Sequence, residues 1–349
     1  MRLGVSLGYV AGAGVHDSVA LAQEADRLGY SVAWAAEAYG SDSPTVLSWV
    51  AAKTETIDVG SAVMQIPART PATTAMTAAT LDMLSGGRFR LGVGVSGPQV
   101  SEGWHGVRFD RPLARTREYV EIVRMALERQ TVAYDGSEFT LPLPDGAGKP
   151  LRLSVHPVRE RVPVYLAAVG PRNLRLAGEI ADGWLAVFFS PEYAADLLED
   201  VDTGLATSGR KRDTFDVAAS VPVVIGDDVA ACAEPLRANA ALYVGGMGSR
   251  EQNFYNRLAC RMGFADAARE VQDLYLDRRH REAMAAVPLE FIDQTSLIGP
   301  KERIMERLQA YHEAGVTTLN VATHARTQEA RLQTLRTMAE VLDASGLGE

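Results

Sequence analysis

Short apolar runs alternate with longer amphipathic segments along almost the whole chain. The apolar runs are continuous rather than interrupted at every second residue, which is typical of strands buried on both faces of a parallel sheet. We predict eight strands from these runs: Arg2–Leu7, Val32–Ala36, Asp58–Val63, Phe89–Val95, Val164–Ala168, Gly183–Val187, Val217–Val224 and Thr318–Ala322.

The segments between the runs carry apolar residues at helical spacing and begin with start signals. Asp17 is suited to cap the first helix, and Ser43-Pro44 opens the second. The predicted helices are Ser18–Leu28, Pro44–Lys53, Thr73–Leu84, Leu113–Arg129, Leu174–Ile180, Tyr193–Thr207, Val229–Ala241 and Glu329–Ala344. Eight β-then-α repeats predict a closed (β/α)8 TIM barrel that spans residues 1–349 as one domain. An open doubly wound sheet is the alternative.

Two stretches interrupt this alternation. Residues 131–150 hold two strand-like runs around Asp135-Gly136 and then a Pro- and Gly-rich piece, which predicts a hairpin excursion. Residues 245–298 form a longer, mainly helical insertion before the last strand. In a barrel such an insertion emerges at the C-terminal face. There it would either cover the pocket as a lid or form a packing or dimer element.

Composition narrows the classes of function. The chain has 349 residues, 47% of them hydrophobic and 23% charged, which is ordinary for a globular enzyme. A net charge of −9 argues against nucleic acid or an anionic membrane surface as a partner, and no apolar run is long enough to span a bilayer. Cys232 and Cys260 have neither metal-binding nor CxxC spacing, so we expect a reduced, cytoplasmic setting and no metal site.

The stretch Leu81–Gly106 carries the clearest sign of a ligand site. A predicted helix ends at Ser85-Gly86-Gly87, a buried strand follows, and the strand opens into the small loop Ser96–Gln99. Glycines let a backbone approach a flat or charged ligand closely, and the loops after barrel strands build the active site. Gly92-x-Gly94 lies within the strand and lacks the third glycine that opens a helix, so no Rossmann dinucleotide site is predicted.

A second candidate is the turn Gly170-Pro171-Arg172-Asn173, which follows the fifth predicted strand. The turn begins a helix, whose free N–H groups and positive dipole end favour an anion. Arg172 is suited to add a charge-assisted contact to a phosphate. The sequence predicts an anion site here, with a plain βα turn as the alternative.

Several segments, taken in their order and spacing, resemble the bacterial luciferase-like superfamily of flavin and deazaflavin oxidoreductases. They are RLGVSLGY, EADRLGYSVAWAAE, GSAVMQIPARTPATTAMTAATLDMLSGGRFRLGVG, VPVYLAAVGPRNLRLAGEIADGW and GVTTLNV. Within the superfamily, SGPQVSEGWHG and GPRNLRLAGEIADGWLAVFFSPE resemble the branch that uses coenzyme F420. The resemblance implies a barrel with F420 at its C-terminal mouth, commonly as a homodimer, acting on a small-molecule substrate.

The resemblance also implies how the cofactor is held. A non-proline cis peptide bond between Ala62 and Val63 would press on the back of the deazaflavin ring, and the turn at Gly170 would meet the phosphate-bearing tail. The cofactor-binding residues expected from the loops and the resemblance are Glu37, Ala62, Val63, Met64, Val95, Ser96, Gly97, Gln99, Val169, Gly170, Pro171, Arg172 and Asn173.

Side chains near the strand ends are the candidates for proton transfer and substrate contact. Glu37 ends the second strand, where a carboxylate can bind the ring or move a proton; a salt-bridged role is the alternative. Sugar-phosphate dehydrogenases of the family follow this position with a catalytic histidine, but here it is Ala38, which argues against their chemistry. His105 is the second catalytic candidate, with a structural role as the alternative. The predicted substrate pocket comprises Tyr9, Phe188, Phe189 and His324.

The expected function is hydride transfer between the C5 carbon of F420 and a small organic substrate. Reduction of an activated C=C, C=N or C=O group is the favoured direction, and oxidation of an alcohol is the other. An FMN-dependent luciferase-like monooxygenase and a non-catalytic flavin- or deazaflavin-binding protein are the alternative functions.

Overall fold

Eight parallel strands close into a ring in the computed structural model, which describes residues 1–8 and 14–348. The order around the ring is β1-β2-β3-β5-β8-β9-β10-β12, and β12 pairs with β1. The predicted closed barrel is therefore confirmed, and the open sheet is excluded. The strands are β1 (Arg2–Gly8), β2 (Val32–Ala35), β3 (Asp58–Ser61), β4 (Met64–Gln65), β5 (Phe89–Gly94), β6 (Tyr134–Asp135), β7 (Thr140–Leu141), β8 (Val164–Ala167), β9 (Gly183–Val187), β10 (Asp216–Ile225), β11 (Leu297–Gly299) and β12 (Thr318–Thr323).

Helices surround the barrel, and several of them begin at a residue whose side chain caps the first turn. Asp42 and Thr70 accept hydrogen bonds from backbone N–H groups in the first turns of α2 and α3. The first helix begins at Gly14, so Asp17 lies inside its first turn rather than at its cap. The helices are α1 (Gly14–Arg27), α2 (Ser43–Ala51), α3 (Pro71–Leu84), α4 (Pro98–Gly103), α5 (Pro112–Leu127), α6 (Pro171–Ile180), α7 (Ala194–Thr207), α8 (Val229–Ala241), α9 (Phe254–Ala259), α10 (Ala265–Leu276), α11 (His280–Ala286), α12 (Leu289–Gln294), α13 (Lys301–Glu313) and α14 (Gln328–Ser345). No helix in this described part of the chain has the length and apolarity to cross a membrane.

Helix α13 was not predicted, although its pattern is in the sequence. Ile304, Leu308 and Tyr311 are buried at positions i, i+4 and i+7, and the Tyr311 hydroxyl donates to the carbonyl of Phe189, 3.2 Å away. This helix covers the outside of the barrel before β12. Helix α8, which was predicted as a barrel helix, instead packs in the insertion.

The insertion between β10 and β12 has its own hydrophobic core. This core joins α8 to α10, α11 and α12 through buried side chains that include Leu236, Val271, Ala283 and Phe291. Short strand β11 ties the insertion to the C-terminal half of β10 by parallel pairing. Met262 packs against both this core and the main core, so the insertion is fixed to the barrel.

The hairpin excursion is held by one carboxylate. Strands β6 and β7 pair antiparallel, and the turn between them folds over Glu118 of α5. The Glu118 carboxylate accepts hydrogen bonds from the backbone N–H groups of Ser137, Glu138 and Phe139 at 2.8, 2.8 and 3.0 Å. Burial alone would raise the pKa of Glu118, but these bonds and that of the Ser137 hydroxyl outweigh it and lower the pKa.

Replacing Glu118 with glutamine should destabilise the protein by about 1–3 kcal/mol at neutral pH. Folding lowers the pKa of Glu118, so its ionised carboxylate stabilises the folded protein. This contribution to the free energy of unfolding is complete above the pKa of the unfolded state, and it is lost as the pH falls through the pKa of the folded state. Urea unfolding of wild type and Glu118→Gln at pH 7 and near pH 3 measures this, and the difference between them should shrink on acidification. A difference that is the same at both pH values would contradict the assignment.

Candidate functional site

The C-terminal ends of the barrel strands form the mouth of the barrel. Trp34 and Tyr165 lie within the barrel with ring centroids 5.2 Å apart, and the Trp34 indole N–H donates to Asn320 Oδ1 at 2.9 Å. These side chains close the interior below the mouth. Nearer the strand ends, inward positions become partly exposed while their neighbours stay buried, as at Ser220 and Pro222 of β10. Solvent therefore reaches the mouth of the barrel as far down as Trp34.

One wall of the mouth is formed where β3 meets β4. The peptide bond between Ala62 and Val63 is cis, as the resemblance implied. Both side chains are partly buried and pack against the interior cluster that contains Trp34. Val63 lies so close to Gly94 that a Cβ at Gly94 would come within 2.8 Å of its Cγ2. Met64, by contrast, is buried in the outer core, so its side chain does not face the mouth; that part of the prediction is wrong.

The loop after β5 is shaped by Ser96. Ser96 has a positive φ of 61°, and its hydroxyl donates to Gln65 Oε1 at 2.7 Å. Gly97 precedes α4, so the expected loop continues as a short helix from Pro98. Val95 is partly buried against the main core and Gln99 is exposed.

Glu37 is held in a network of hydrogen bonds and an ion pair. Its carboxylate, with only 7% of the side chain exposed, pairs with both terminal nitrogens of Arg69 at 2.6 and 2.8 Å. It also accepts from the backbone N–H groups of Ser43 and Gln65, at 3.0 and 3.3 Å. Burial lowers the pKa of Arg69, but Glu37 and Asp42 outweigh it and raise the pKa. These contacts favour the salt-bridged alternative for Glu37 over proton transfer.

Gln65 and Arg69 are site residues that the sequence analysis missed. The Gln65 side chain is buried and donates to the carbonyl of Ala38 at 2.6 Å while accepting from Ser96. Gln65 therefore connects the loop after β2 with the loop after β5. Both residues lie in the segment MQIPART that carried the resemblance, but nothing in their local pattern revealed these partners.

The two histidine candidates lie in different surroundings. His105 follows α4, is partly buried, and its Nε2 is shielded from solvent with no hydrogen-bond partner. His324 lies one residue beyond β12, in register with the inward-facing Asn320. Burial lowers the pKa of His324, so this imidazole is neutral at pH 7.

The turn after β8 has features of an anion site. Gly170 caps α6 without a side-chain hydrogen bond, and the exposed Arg172 makes no ion pair with any residue between 1–8 or 14–348. Asn173 donates from Nδ2 to the carbonyl of Ala167 at 3.3 Å, while its Oδ1 is buried and unpartnered. Arg261 of the insertion donates to the carbonyl of Val169 at 2.8 Å. The turn therefore offers an unpaired cation and an unsatisfied acceptor.

The predicted substrate-pocket residues separate in the structure. Phe188 is partly buried and contacts aromatic side chains of the insertion. Phe189 is buried between Trp184 and Tyr311 in the outer layer, so it does not line the mouth and that prediction is wrong. The physical reason is the positive φ of 51° at Phe188, the residue after β9, which breaks the strand alternation and turns Phe189 to the outside. Tyr9 lies outside the described residues.

No group of three His, Cys, Asp or Glu side chains that could hold a metal occurs among residues 1–8 and 14–348. The described site therefore consists of polar networks, small apolar walls and the turn at Gly170 with its exposed, unpaired Arg172.

Comparison with known proteins places these features in a family. The model of the luciferase-like monooxygenase family matches residues 1–318. The chain is 42% identical over 335 residues to a protein of Mycobacterium tuberculosis named "Putative coenzyme F420-dependent oxidoreductase", covering 94% of this chain and 96% of the other. It is 31% identical to the 5,10-methylenetetrahydromethanopterin reductase of Archaeoglobus fulgidus, covering 84% and 85% of the two chains.

The fold is likewise similar to a solved one. The structure of the F420-dependent tetrahydromethanopterin reductase of Methanopyrus kandleri superposes with a TM-score of 0.82 at 24% identity, covering 97% of each chain. At that identity the likeness concerns the barrel alone. With a family model that matches most of its length, this chain belongs to the luciferase-like monooxygenase family, and its named relatives are F420-dependent oxidoreductases.

Proposed function

We propose that the protein is an F420-dependent oxidoreductase that reduces an activated C=C, C=N or C=O group of a small organic substrate. The observation that carries the proposal is the 42% identity to a named F420-dependent oxidoreductase over 94% of the chain. The reductase direction is supported by the similarity to methylenetetrahydromethanopterin reductase.

The residues present fit the cofactor. Arg172 and the N-terminus of α6 would hold its anionic tail, and the unpartnered Oδ1 of Asn173 offers an acceptor to a ring or tail N–H or O–H. Ala62 and Val63 would provide the apolar wall for the flat ring, with Ser96 and Gly97 beside it. When bound, F420 supplies a hydride at C5, and the protein contributes binding, orientation and control of protons.

The chain's own polar groups divide into positioning and proton-handling residues. The Glu37–Arg69 pair and Gln65 fix the loops after β2 and β5, so their role is to orient the mouth. His324 is neutral at pH 7 and serves as a hydrogen-bond partner for the substrate rather than as an imidazolium acid. The proton that completes a reduction then comes from His105 or from water.

Titration of the purified protein with F420 and with FMN, followed by fluorescence, tests this proposal. We expect saturable F420 binding, and about tenfold weaker binding in Arg172→Ser, because a hydrogen bond to a charged group contributes about 1.5–3 kcal/mol. Arg175→Ser is the matched control, since Arg175 lies on the same helix but pairs with Asp200 at 2.9 Å.

The same titration separates the alternatives. Micromolar FMN binding without F420 binding would contradict the proposal and favour an FMN-dependent monooxygenase. Tight F420 binding with no redox change across a broad substrate panel would favour a non-catalytic deazaflavin-binding protein.

We infer that the protein forms a homodimer through α2 and α3. These helices pack together and present large apolar side chains that are 46–64% exposed, which is uncommon for adjacent positions on a monomer. The exposed patch consists of Trp49, Met76, Met83 and Leu84.

Met83→Arg should therefore shift the protein from dimer to monomer in sedimentation velocity, because it places a charge in the buried centre of the contact. Leu276→Arg, which changes an exposed leucine at the end of α10, is the control and should leave the mass unchanged. A wild-type protein that sediments as a monomer at micromolar concentration would refute the inference.

A further inference from the structure

Three aromatic rings stand together at the β9 side of the mouth. Phe188 follows β9 directly, and Tyr243 and Tyr255 belong to the insertion. The ring of Phe188 lies 5.5 Å from that of Tyr243 and 6.1 Å from that of Tyr255, and the two tyrosine rings are 4.8 Å apart. All three contacts are edge-to-face, the arrangement that aromatic quadrupoles favour. We call these three residues the aromatic wall.

The backbone that carries Tyr243 is held firmly. Residues Leu242–Gly246 form a π-helical turn, a feature that is frequent at functional sites. Asn253 is buried and donates to the carbonyls of Tyr243 and Val244, both at 3.0 Å. Gly246 lies so close to Tyr275 that a Cβ there would approach the ring to 2.4 Å. These contacts fix the position of the Tyr243 ring before any ligand arrives.

The aromatic wall extends across the mouth. Tyr39 follows β2, which lies four strands from β9 in the ring of eight and therefore on the opposite side. Burial raises the pKa of Tyr243, and the nearby Tyr39 hydroxyl raises it further, so the two tyrosines are neighbours. Because Tyr39 is 64% exposed, its ring is accessible from solvent. The electrostatic influence of Tyr39 indicates that the insertion brings Tyr243 within range of the loop after β2.

The charged side chains at the β2 side of the mouth are paired with each other. Glu37 and Arg69 neutralise each other in a bidentate ion pair, and Arg69 also contacts Asp42. His324 is neutral at pH 7 because burial lowers its pKa. Arg172 lies at the turn after β8, where it is assigned to the cofactor tail. On the β8 side of the mouth, Arg261 of the insertion donates to the carbonyl of Val169 and makes no ion pair among residues 1–8 and 14–348.

We propose that the aromatic wall of Phe188, Tyr243 and Tyr255 selects planar, conjugated substrates such as quinones or aryl-conjugated carbonyl compounds. This inference rests on the proposed oxidoreductase function and names its substrate class. A flat π-system can contact the exposed ring faces and edges, whereas a puckered aliphatic ring of equal size cannot make the same contacts.

Equilibrium dialysis of the protein with menadione, a planar bicyclic quinone, tests the inference without turnover. The puckered bicyclic ketone trans-1-decalone and the anion glucose 6-phosphate are the comparison ligands. We expect menadione to bind at least about fivefold more tightly than either, since aromatic pairs contribute beyond their buried area. Equal binding of menadione and trans-1-decalone would overturn the inference.

Variants at Tyr243 assign the effect to the wall. Tyr243→Leu keeps an apolar side chain but removes the ring, and should weaken menadione binding at least about fivefold while leaving trans-1-decalone unaffected. Tyr243→Phe should retain wild-type binding, and Leu276→Ala, at an exposed site of the insertion, is the control. Wild-type menadione binding by Tyr243→Leu would contradict the assignment, and circular dichroism shows whether each variant is folded.

F420 titration of the same preparations keeps the two proposals apart. If F420 binds and menadione shows no preference over the comparison ligands, the substrate class is wrong and the proposed function stands. If F420 does not bind, the proposed function is wrong whatever menadione does.

Discussion

Replacing Arg69 with methionine should destabilise the protein by about 3–5 kcal/mol, because it leaves a buried carboxylate without its countercharge. Glu37 is only 7% exposed, and both terminal nitrogens of Arg69 donate to its carboxylate. The two remaining hydrogen bonds, from the N–H groups of Ser43 and Gln65, cannot replace a full positive charge. Urea unfolding monitored by tryptophan fluorescence measures the loss, and weaker F420 binding should accompany it because the loops after β2 and β5 lose their common anchor.

Two further variants separate the ion pair from general disruption. Asp42→Asn removes a charge that is also next to Arg69, but Asp42 is 50% exposed and asparagine retains its capping of α2. Asp42→Asn should lower the free energy of unfolding by no more than about 1 kcal/mol. The double variant Arg69→Met with Glu37→Gln should recover part of the stability lost by Arg69→Met, since no charge is then left buried.

The outcome also decides between the two roles considered for Glu37. If Arg69→Met is no more destabilising than Asp42→Asn, the pair does not anchor the mouth, and Glu37 again becomes the first candidate for proton transfer. If the large loss is observed, Glu37 acts through position, and its contribution to catalysis is made by holding Gln65 and the loop at Ser96.

The barrel could be predicted because its strands are buried on both faces, so each is visible as an apolar run without knowledge of its partners. Strand β10 is the clearest case, since Asp216–Ile225 contains the predicted Val217–Val224. Helix α13 was missed although Ile304, Leu308 and Tyr311 mark its buried face, because most of its other residues are charged or polar. Because α13 was missed, α8 was predicted to be the barrel helix before the last strand. The insertion was therefore predicted to begin after α8, although α8 packs within it.

The sequence indicated which strand ends carry the candidate site residues, but not which side chains contact one another there. Strand ends identified Glu37, Ser96 and the turn at Gly170, since the C-terminal face of a barrel gathers such positions. Arg69, by contrast, meets Glu37 from 32 residues away along the chain. Such a contact depends on how β2 and the segment before α3 come together, and no local pattern encodes it. Phe189 shows a different failure. The alternation along β9, where Leu185 faces the interior, would place Phe189 inward as well, but the positive φ of 51° at Phe188 breaks this alternation.

The glycines of the stretch Leu81–Gly106, which first marked this region as a ligand site, differ in what they do. A Cβ at Gly92 would lie 1.9 Å from the carbonyl oxygen of Ser61 and 2.7 Å from Leu185 Cδ1. The Ser61 hydroxyl also donates to the Gly92 carbonyl at 2.8 Å and accepts from its N–H at 2.9 Å. Gly92 therefore permits the close approach of two barrel strands immediately before Ala62 and Val63. At Gly97 a Cβ would meet nothing within 4 Å.

Gly92→Ala should consequently cost about 3 kcal/mol or more, at the upper end of what overpacking a core costs, because the obstructing atom belongs to the backbone. Since any relief must move Ser61, it should also displace Ala62 and Val63 and weaken F420 binding. Gly97→Ala is the matched control and should change the free energy of unfolding by less than about 0.5 kcal/mol. Urea unfolding and F420 titration of both variants measure these effects. Equal stability of Gly92→Ala and Gly97→Ala would show that β3 and β5 approach each other less closely than the structure indicates.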